Sequence, residues 1–299
     1  MLVRTLVCLL ACAVAPAAAR ATDGVVVAGV QAPRLTALDG TLVWIDGSAP
    51  DQALMQRRPD GTIAPVAGAP RAAYFAIDLG HDARGALVLT YARCDGTTSC
   101  KTFTDDLAGR RETFKHLAPR GCELTSVPSR WGTRVAYGLA CSTSRGGRLV
   151  VDRARSGLYV RTGTRAPRRL RIGDRRARPD AIGWVDLRAR TVGAVATGGS
   201  SFAFSQTIDG RDVRAARMPA GDVAGMSVGG DGALWTLVAA AHDAVISRLT
   251  RAGCSESERL PATALAVDAT TIYLSLPGGG IATHAFEPAR TCASGPSAT

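Results

Sequence analysis

The chain has 299 residues and a mass of 31.0 kDa, with 46% hydrophobic but only 5% aromatic residues and a formal charge of +11 at neutral pH. Its 33 glycines and 15 prolines are too few for a collagen-like or disordered chain, and no internal apolar run reaches the ~18 residues of a membrane-spanning helix. Among 36 basic residues only Lys101 and Lys115 are lysines, an arginine bias that GC-rich codon usage produces and that leaves a surface weakly attractive to polyanions.

The first residues run from Arg4 through apolar Leu6–Ala15 and Pro16 to small residues that offer A-x-A cuts after Ala19 or Ala21. That is the order of a secretory signal peptide, so residues 1–21 are expected to be removed on export. Leu9-Leu10-Ala11-Cys12 also resembles a lipobox that would leave a lipidated Cys12. The apolar stretch before Cys12 is very short and the A-x-A site lies downstream, which favours plain cleavage. The expected location is secreted or cell envelope.

After an isolated strand at Gly24–Val30, one unit repeats: a short apolar strand, a turn built on Asp or Gly, and a second apolar strand. Glycine reaches φ > 0 freely and aspartate bonds nearby backbone, as tight hairpins require. The first unit is Leu35–Leu38, Asp39-Gly40 and Thr41–Trp44. Phe75–Asp78 then turns at His81–Gly85 into Ala86–Tyr91, and Leu124–Val127 turns at Pro128–Gly132 into Thr133–Leu139. Ile182–Val185 turns near Arg188–Arg190 into Val192–Ala196. Met226–Val228 and Ala264–Val267 open the last two hairpins, with second strands from Ala233 and Thr271.

Further strands are expected at Leu54–Arg57 and Thr62–Val66, Gly157–Arg161 and Pro167–Arg171, Ser201–Thr207 and Asp212–Met218, and Ala244–Thr250 and Ser255–Leu260. The last unit ends after Ile281–Phe286 without a fourth strand. Gly24–Val30 is placed to supply it and so close a ring with no open edge. The period, roughly 40 to 50 residues, is that of a four-stranded propeller blade. Six blades are expected, and the long interval from Thr133 to Thr191 leaves seven as the alternative.

Six cysteines follow the signal: Cys94, Cys100, Cys122, Cys141, Cys254 and Cys292. An even number in an exported chain favours disulfides, although many connectivities are open. Cys94 and Cys100 flank the loop Asp95–Ser99, and Cys122 and Cys141 are centred on Trp131-Gly132, so each pair should meet across a hairpin. Cys254 and Cys292 pair by elimination.

Hairpins such as Asp231-Gly232-Ala233-Leu234-Trp235, together with their period, make residues 22–299 resemble a single all-β domain, a six-bladed TolB-like β-propeller. The chain is similar to exported propellers of high-GC bacteria. The likeness is one of repeat style, since WD, YWTD and S-x-D-x-G-x-x-W motifs are absent. It implies a binding platform and carries over no site residue; a monomer is expected.

No catalytic residue is assigned. G-x-S-x-G is absent, and Gly198-Gly199-Ser200-Ser201 reads as a turn. His81, His116, His242 and His284 fall in different repeats without metal-ligand spacing, and His81-Asp82 reads as an exposed turn. Glu123, Asp180 and Asp222 precede or begin the first strands of successive units, hence surround one mouth of the channel, with Arg34, Arg71 and Arg120 at comparable positions. Lactonases of similar architecture hold a hard cation there, so these carboxylates are the candidate calcium ligands; turn and salt-bridge roles are the favoured alternative.

Arg165, Arg168, Arg169, Arg171, Arg175, Arg176 and Arg178 form a candidate anion-binding edge for a protein, acidic glycan or envelope polymer, against the plainer reading of a solvated outer strand. Nucleic acid is disfavoured in an exported chain with no interleaved aromatics. Trp44 and Trp235 occupy matching positions and read as packing, and Trp184 lies on an inner strand. Trp131 falls in a turn, to contact a ligand or, preferably, to cover the neighbouring disulfide. The sequence thus favours an exported binding or scaffolding module over a metal-dependent lactonase- or lyase-like enzyme.

Overall fold

The computed structural model describes residues 24–94, 100–114, 117–172, 181–197, 201–240 and 243–288, which contain strands and no helix. The signal region and Cys12 lie outside them. β1 (Gly24–Val27) comes first, followed by a four-stranded antiparallel sheet of β2 (Leu35–Leu38), β3 (Thr41–Asp46), β4 (Ala53–Arg57) and β5 (Ile63–Pro65). Next come β6 (Ala73–His81), β7 (Leu87–Cys94), β8 (Cys100–Asp105) and β9 (Arg111–Thr113). They join β10 (Cys122–Leu124), β11 (Ser129–Trp131), β12 (Arg134–Arg145), β13 (Arg148–Val151), β14 (Gly157–Thr162) and β15 (Arg168–Arg169) in one ten-stranded sheet. A single parallel pair, Trp131 with His81, connects its two halves.

Two more four-stranded sheets follow. One is β16 (Ala181–Arg188), β17 (Thr191–Thr197), β18 (Phe202–Thr207) and β19 (Arg214–Arg217); the other is β20 (Asp222–Val228), β21 (Leu234–Ala239), β22 (Ala244–Leu249) and β23 (Ser255–Leu260). β24 (Ala264–Asp268), β25 (Thr271–Ser275) and β26 (Ile281–His284) make the last sheet, and β1 is its outer strand, with Val25 opposite Ala282. The leading strand therefore completes the final sheet, as its orphan position in the sequence predicts.

Five of the six expected hairpins form. In the first, Asp39 (φ 52°) and Gly40 (φ 73°) both adopt the left-handed conformation of a two-residue hairpin turn. β2 packs against β24 on one side and β6 on the other, β11 against β6 and β16, β16 against β20, and β20 against β24, so the inner strands make a closed, propeller-like circle. The apolar core lies between neighbouring sheets. Trp44 is wholly buried against Val27, Ala264 and Ala266, and Trp235 packs with Leu265 and Ile272, so both tryptophans are packing residues.

Where backbones meet across the circle, a side chain has no room. A Cβ on Gly80 would stand 1.9 Å from the Arg130 carbonyl oxygen, and one on Gly138 would stand 2.6 Å from that of Ile182. Glycine at these two places is what lets adjacent sheets approach.

The third hairpin differs from expectation. Its first strand is split: Cys122–Leu124 and Ser129–Trp131 each pair with β12, and the turn is only Gly132-Thr133. Pro128 lacks the N–H a continuous ladder would need, and Thr125 turns aside to donate its hydroxyl to the Ile182 carbonyl at 2.6 Å. Part of the long interval after Thr133 is taken up by the hairpin of β12 with β13, which adds no separate sheet.

Disulfides join Cys94 to Cys100 and Cys122 to Cys141, as the spacing implies. Cys254 is disulfide-bonded too, and Cys292 lies outside the described residues.

Gly80→Ala is expected to lower the urea midpoint by an amount equivalent to about 1–3 kcal/mol or more, the usual cost of overpacking. Gly278→Ala, at a site with nothing within 4 Å, serves as the neutral control. Equal midpoints for the two variants would contradict the close approach of β6 and β11.

Candidate functional site

Neighbouring inner strands share almost no backbone ladder, so their N–H groups must find other partners. Short polar side chains provide them. Thr36 Oγ1 accepts from the Leu79 N–H at 3.0 Å, Ser129 Oγ from Leu187 at 2.7 Å, and Asp186 Oδ2 from Val228 at 2.6 Å. Arg188 then crosses the channel, its Nη2 donating to the carbonyls of Ala37 at 2.6 Å and Val267 at 3.5 Å, while its Nε lies 3.6 Å from Asp186 Oδ1.

Asp78 lies buried in this same group, near Ser129, Asp186 and Arg188. Burial first, and then the neighbouring Asp186, push its carboxyl well above the usual carboxylate range; Ser129 and Arg188 oppose that rise without cancelling it. Asp78 Oδ2 is buried without a hydrogen-bond partner.

The hairpin turns lace one end of the circle together. The Asp268 carboxylate accepts from the N–H groups of Asp39 and Gly40 at 3.1 and 2.6 Å, and His81 Nε2 lies 2.6 Å from Asp39 Oδ2. Gly132 N donates to His81 O at 2.9 Å, Arg134 to Ala189 O at 2.7 Å, and Gly230 N to Ala269 O at 2.9 Å. Two expectations are corrected here. His81 ends β6 and is clamped between Asp39 and Trp131 rather than lying in an exposed turn. Trp131 is on β11, with its ring 4.5 Å from the His81 ring, so it packs between the two halves of the large sheet rather than over a disulfide.

The opposite end is open. There a cavity of about 670 Å³ is lined by the beginnings of the inner strands, including Arg34, Ile77, Glu123, Trp184 and Val185, with buried Asp78 among its walls. The Arg34 guanidinium lies 4.8 Å above the Trp184 ring and donates to Pro33 O at 3.1 Å; burial pulls its pKa down. Both disulfides border this cavity. Cys100 lines it, at the end of the β7–β8 connection, and Cys122 precedes the wall residues Glu123 and Leu124.

Of the expected calcium ligands, exposed Glu123 reaches the cavity, Asp222 begins β20 exposed and away from its walls, and Asp180 lies outside the described residues. Among the described residues no group of three His, Cys, Asp or Glu side chains converges as a metal site would require. Arg71 pairs with Asp51, and the Arg120 carbonyl accepts from Arg155. In the arginine edge, Arg168 donates to Ile208 O and Arg169 to the carbonyls of Ala154 and Arg153, whereas Arg165 and Arg171 are exposed. Arg175, Arg176 and Arg178 are outside the described residues, as are His116, His242 and Gly198–Ser200. His284 is buried against Glu258 at 3.1 Å.

The sequence reading passed over Asp78, Asp186 and Arg188. Their signal was a charged residue near the end of an otherwise apolar inner strand, where an exposed strand end is the ordinary explanation.

No protein family matches the chain, and no curated protein does. Solved structures do. A TolB from Acinetobacter baumannii aligns with a TM-score of 0.51 at 10% identity, over 85% of this chain and 56% of that one, so the chain spans little more than half of that protein. A gluconolactonase from Xanthomonas campestris aligns at 0.51 and 16% identity over 88% and 99% of the two chains. A PQQ-bound aldose sugar dehydrogenase from Streptomyces coelicolor aligns at 0.54 and 12% over 88% and 96%. These likenesses establish a β-propeller fold.

Because Asp78 holds its proton more tightly folded than unfolded, stability should fall as pH rises from the unfolded carboxyl value, about 3.9, through the raised folded value. Asp78→Asn keeps a hydrogen-bond donor and removes the titration. Urea midpoints measured between pH 4 and 8 are expected to shift progressively in favour of Asp78→Asn as pH rises. Parallel curves for the two proteins would contradict a protonated Asp78.

Proposed function

We propose that this chain is an exported, monomeric binding module, freed by cleavage after residue 21, that receives its partner at the open channel mouth. The propeller has six blades in this reading. A lone residue pair joins the two halves of the ten-stranded sheet, which then count as separate blades beside the other four sheets.

The observation that supports binding is the cavity of about 670 Å³ with a disulfide at each of two bordering loops. Walls held in place cost little to order when a partner arrives. Arg34 over Trp184 offers a cation beside an aromatic face, and Asp78 offers an unmet hydrogen bond. These suit a protein segment or an acidic glycan or envelope polymer. Arg165 and Arg171, with Arg168, Arg169, Arg175, Arg176 and Arg178, would extend the contact along a basic edge. The disulfides fit an oxidising, extracytoplasmic location, and among the described residues no helix is long and apolar enough to cross a membrane.

A metal-dependent lactonase- or lyase-like enzyme is the second reading. It draws support only from Glu123 sharing the cavity with Asp78.

Immobilised protein is expected to retain an envelope component at low salt, and Arg34→Gln and Trp184→Ala should each reduce retention about tenfold. Loss only on charge reversal of Arg165 and Arg171 would contradict the channel-mouth site. Stoichiometric Ca²⁺ in equilibrium dialysis would favour the enzyme.

A further inference from the structure

A second cavity, of about 600 Å³, lies away from the channel, between the two halves of the ten-stranded sheet. Thr104 and Thr113, Glu112, Phe114, Arg130 and Arg161 line it. Strand register explains how the arginines come together. Arg130 on β11 pairs with Val135 on β12, and Val135 pairs with Arg161 on β14, so the three side chains share one sheet face. Two strand spacings separate the arginine backbones, about 10 Å, a gap their long side chains can close around a single group.

These arginines differ from others in the fold. Arg34, Arg134, Arg168, Arg169 and Arg188 donate to backbone carbonyls, and Arg71, Arg248 and Arg259 face carboxylates. Among the described residues the side chains of Arg130 and Arg161 make no hydrogen bond or close ion pair, Asp82 acting on Arg130 only through space, and Arg130 Nε is buried with no partner. Thr104, only 9% exposed, carries a buried hydroxyl that is unpartnered as well. Buried donors left without acceptors are costly, and a ligand that accepts from them recovers that cost. The one carboxylate in the lining, Glu112, is exposed at the rim.

We propose that this crevice is an oxyanion site, taking a ligand whose carboxylate, sulfate or phosphate group sits between Arg130 and Arg161 and accepts the Thr104 hydroxyl. Guanidinium forks match two oxygens of such a group at once. Phe114 supplies an apolar wall for the body that carries it.

The test is calorimetric titration of the mature chain at low ionic strength with sodium sulfate, sodium glucuronate and glucose. Saturable binding of sulfate, glucuronate or both is expected, with none of glucose. Sulfate alone points to a sulfate or phosphate group, and tighter glucuronate to an acidic sugar. Arg161→Gln and Arg130→Gln should each weaken binding at least tenfold, and Thr104→Val several-fold. Arg161→Lys keeps the charge but loses the fork, so it should also bind more weakly, which covers the case in which Arg130→Gln fails to fold. Trp184→Ala, at the other cavity, should leave these affinities unchanged, so the crevice stands or falls apart from the channel mouth. Unaltered affinity in Arg161→Gln, or glucose binding as tightly as glucuronate, would overturn the site.

Discussion

Sheets arranged in a circle must be joined at the centre without a shared backbone ladder, and the chemistry of the channel follows from that constraint. Each inner strand carries donors that its own sheet cannot satisfy. Thr36, Ser129 and Asp186 accept from the next strand's backbone, and Arg188 reaches carbonyls on two strands contributed by opposite ends of the chain. A buried arginine is tolerated there because Asp186 and those carbonyls meet it. The same contacts that fill the channel also fix which sheet stands beside which, because each partner lies on a different strand.

That arrangement makes the two ends of the circle unlike. At one end the hairpin turns are hydrogen-bonded to each other and Trp131 wedges against His81. At the other the inner strands begin apart, and the loops that lead into them are free to vary without disturbing the centre. Two disulfides stand at this end, bordering the cavity. Cross-linking a hairpin limits the unfolded chain and steadies the loop in the folded one, so rigidity has been added where the closed circle itself supplies least.

The repeat was legible because tight turns demand particular residues: Asp39-Gly40 marks its hairpin by conformational need, and the apolar strands beside it must face a neighbouring sheet. Cysteine spacing was legible for the same local reason. What lay hidden was long-range. Nothing near Asp78 or Arg188 in the chain announces that residues 110 positions apart meet in one buried group, and Arg130 and Arg161 come together only through the register of β12. In the arginine edge, likewise, the carbonyls that Arg168 and Arg169 meet lie 40 and 15 positions away in the chain, out of sight of the local sequence. The turn assigned to Pro128–Gly132 failed because the chain returns to the ladder at Ser129, directly after the proline, which puts Trp131 on β11.

Closure by the leading strand is the claim on which the channel and both cavities rest, since an open circle would leave β24 and β2 free to part. Native-state hydrogen exchange tests it directly. Peptides covering Gly24–Val27 and Ile281–His284 are predicted to exchange only through global unfolding, with the same protection as the Ala264–Asp268 strand of that sheet. Exchange of Gly24–Val27 at the rate of free chain, while Ala264–Asp268 stays protected, would contradict a circle closed in this way.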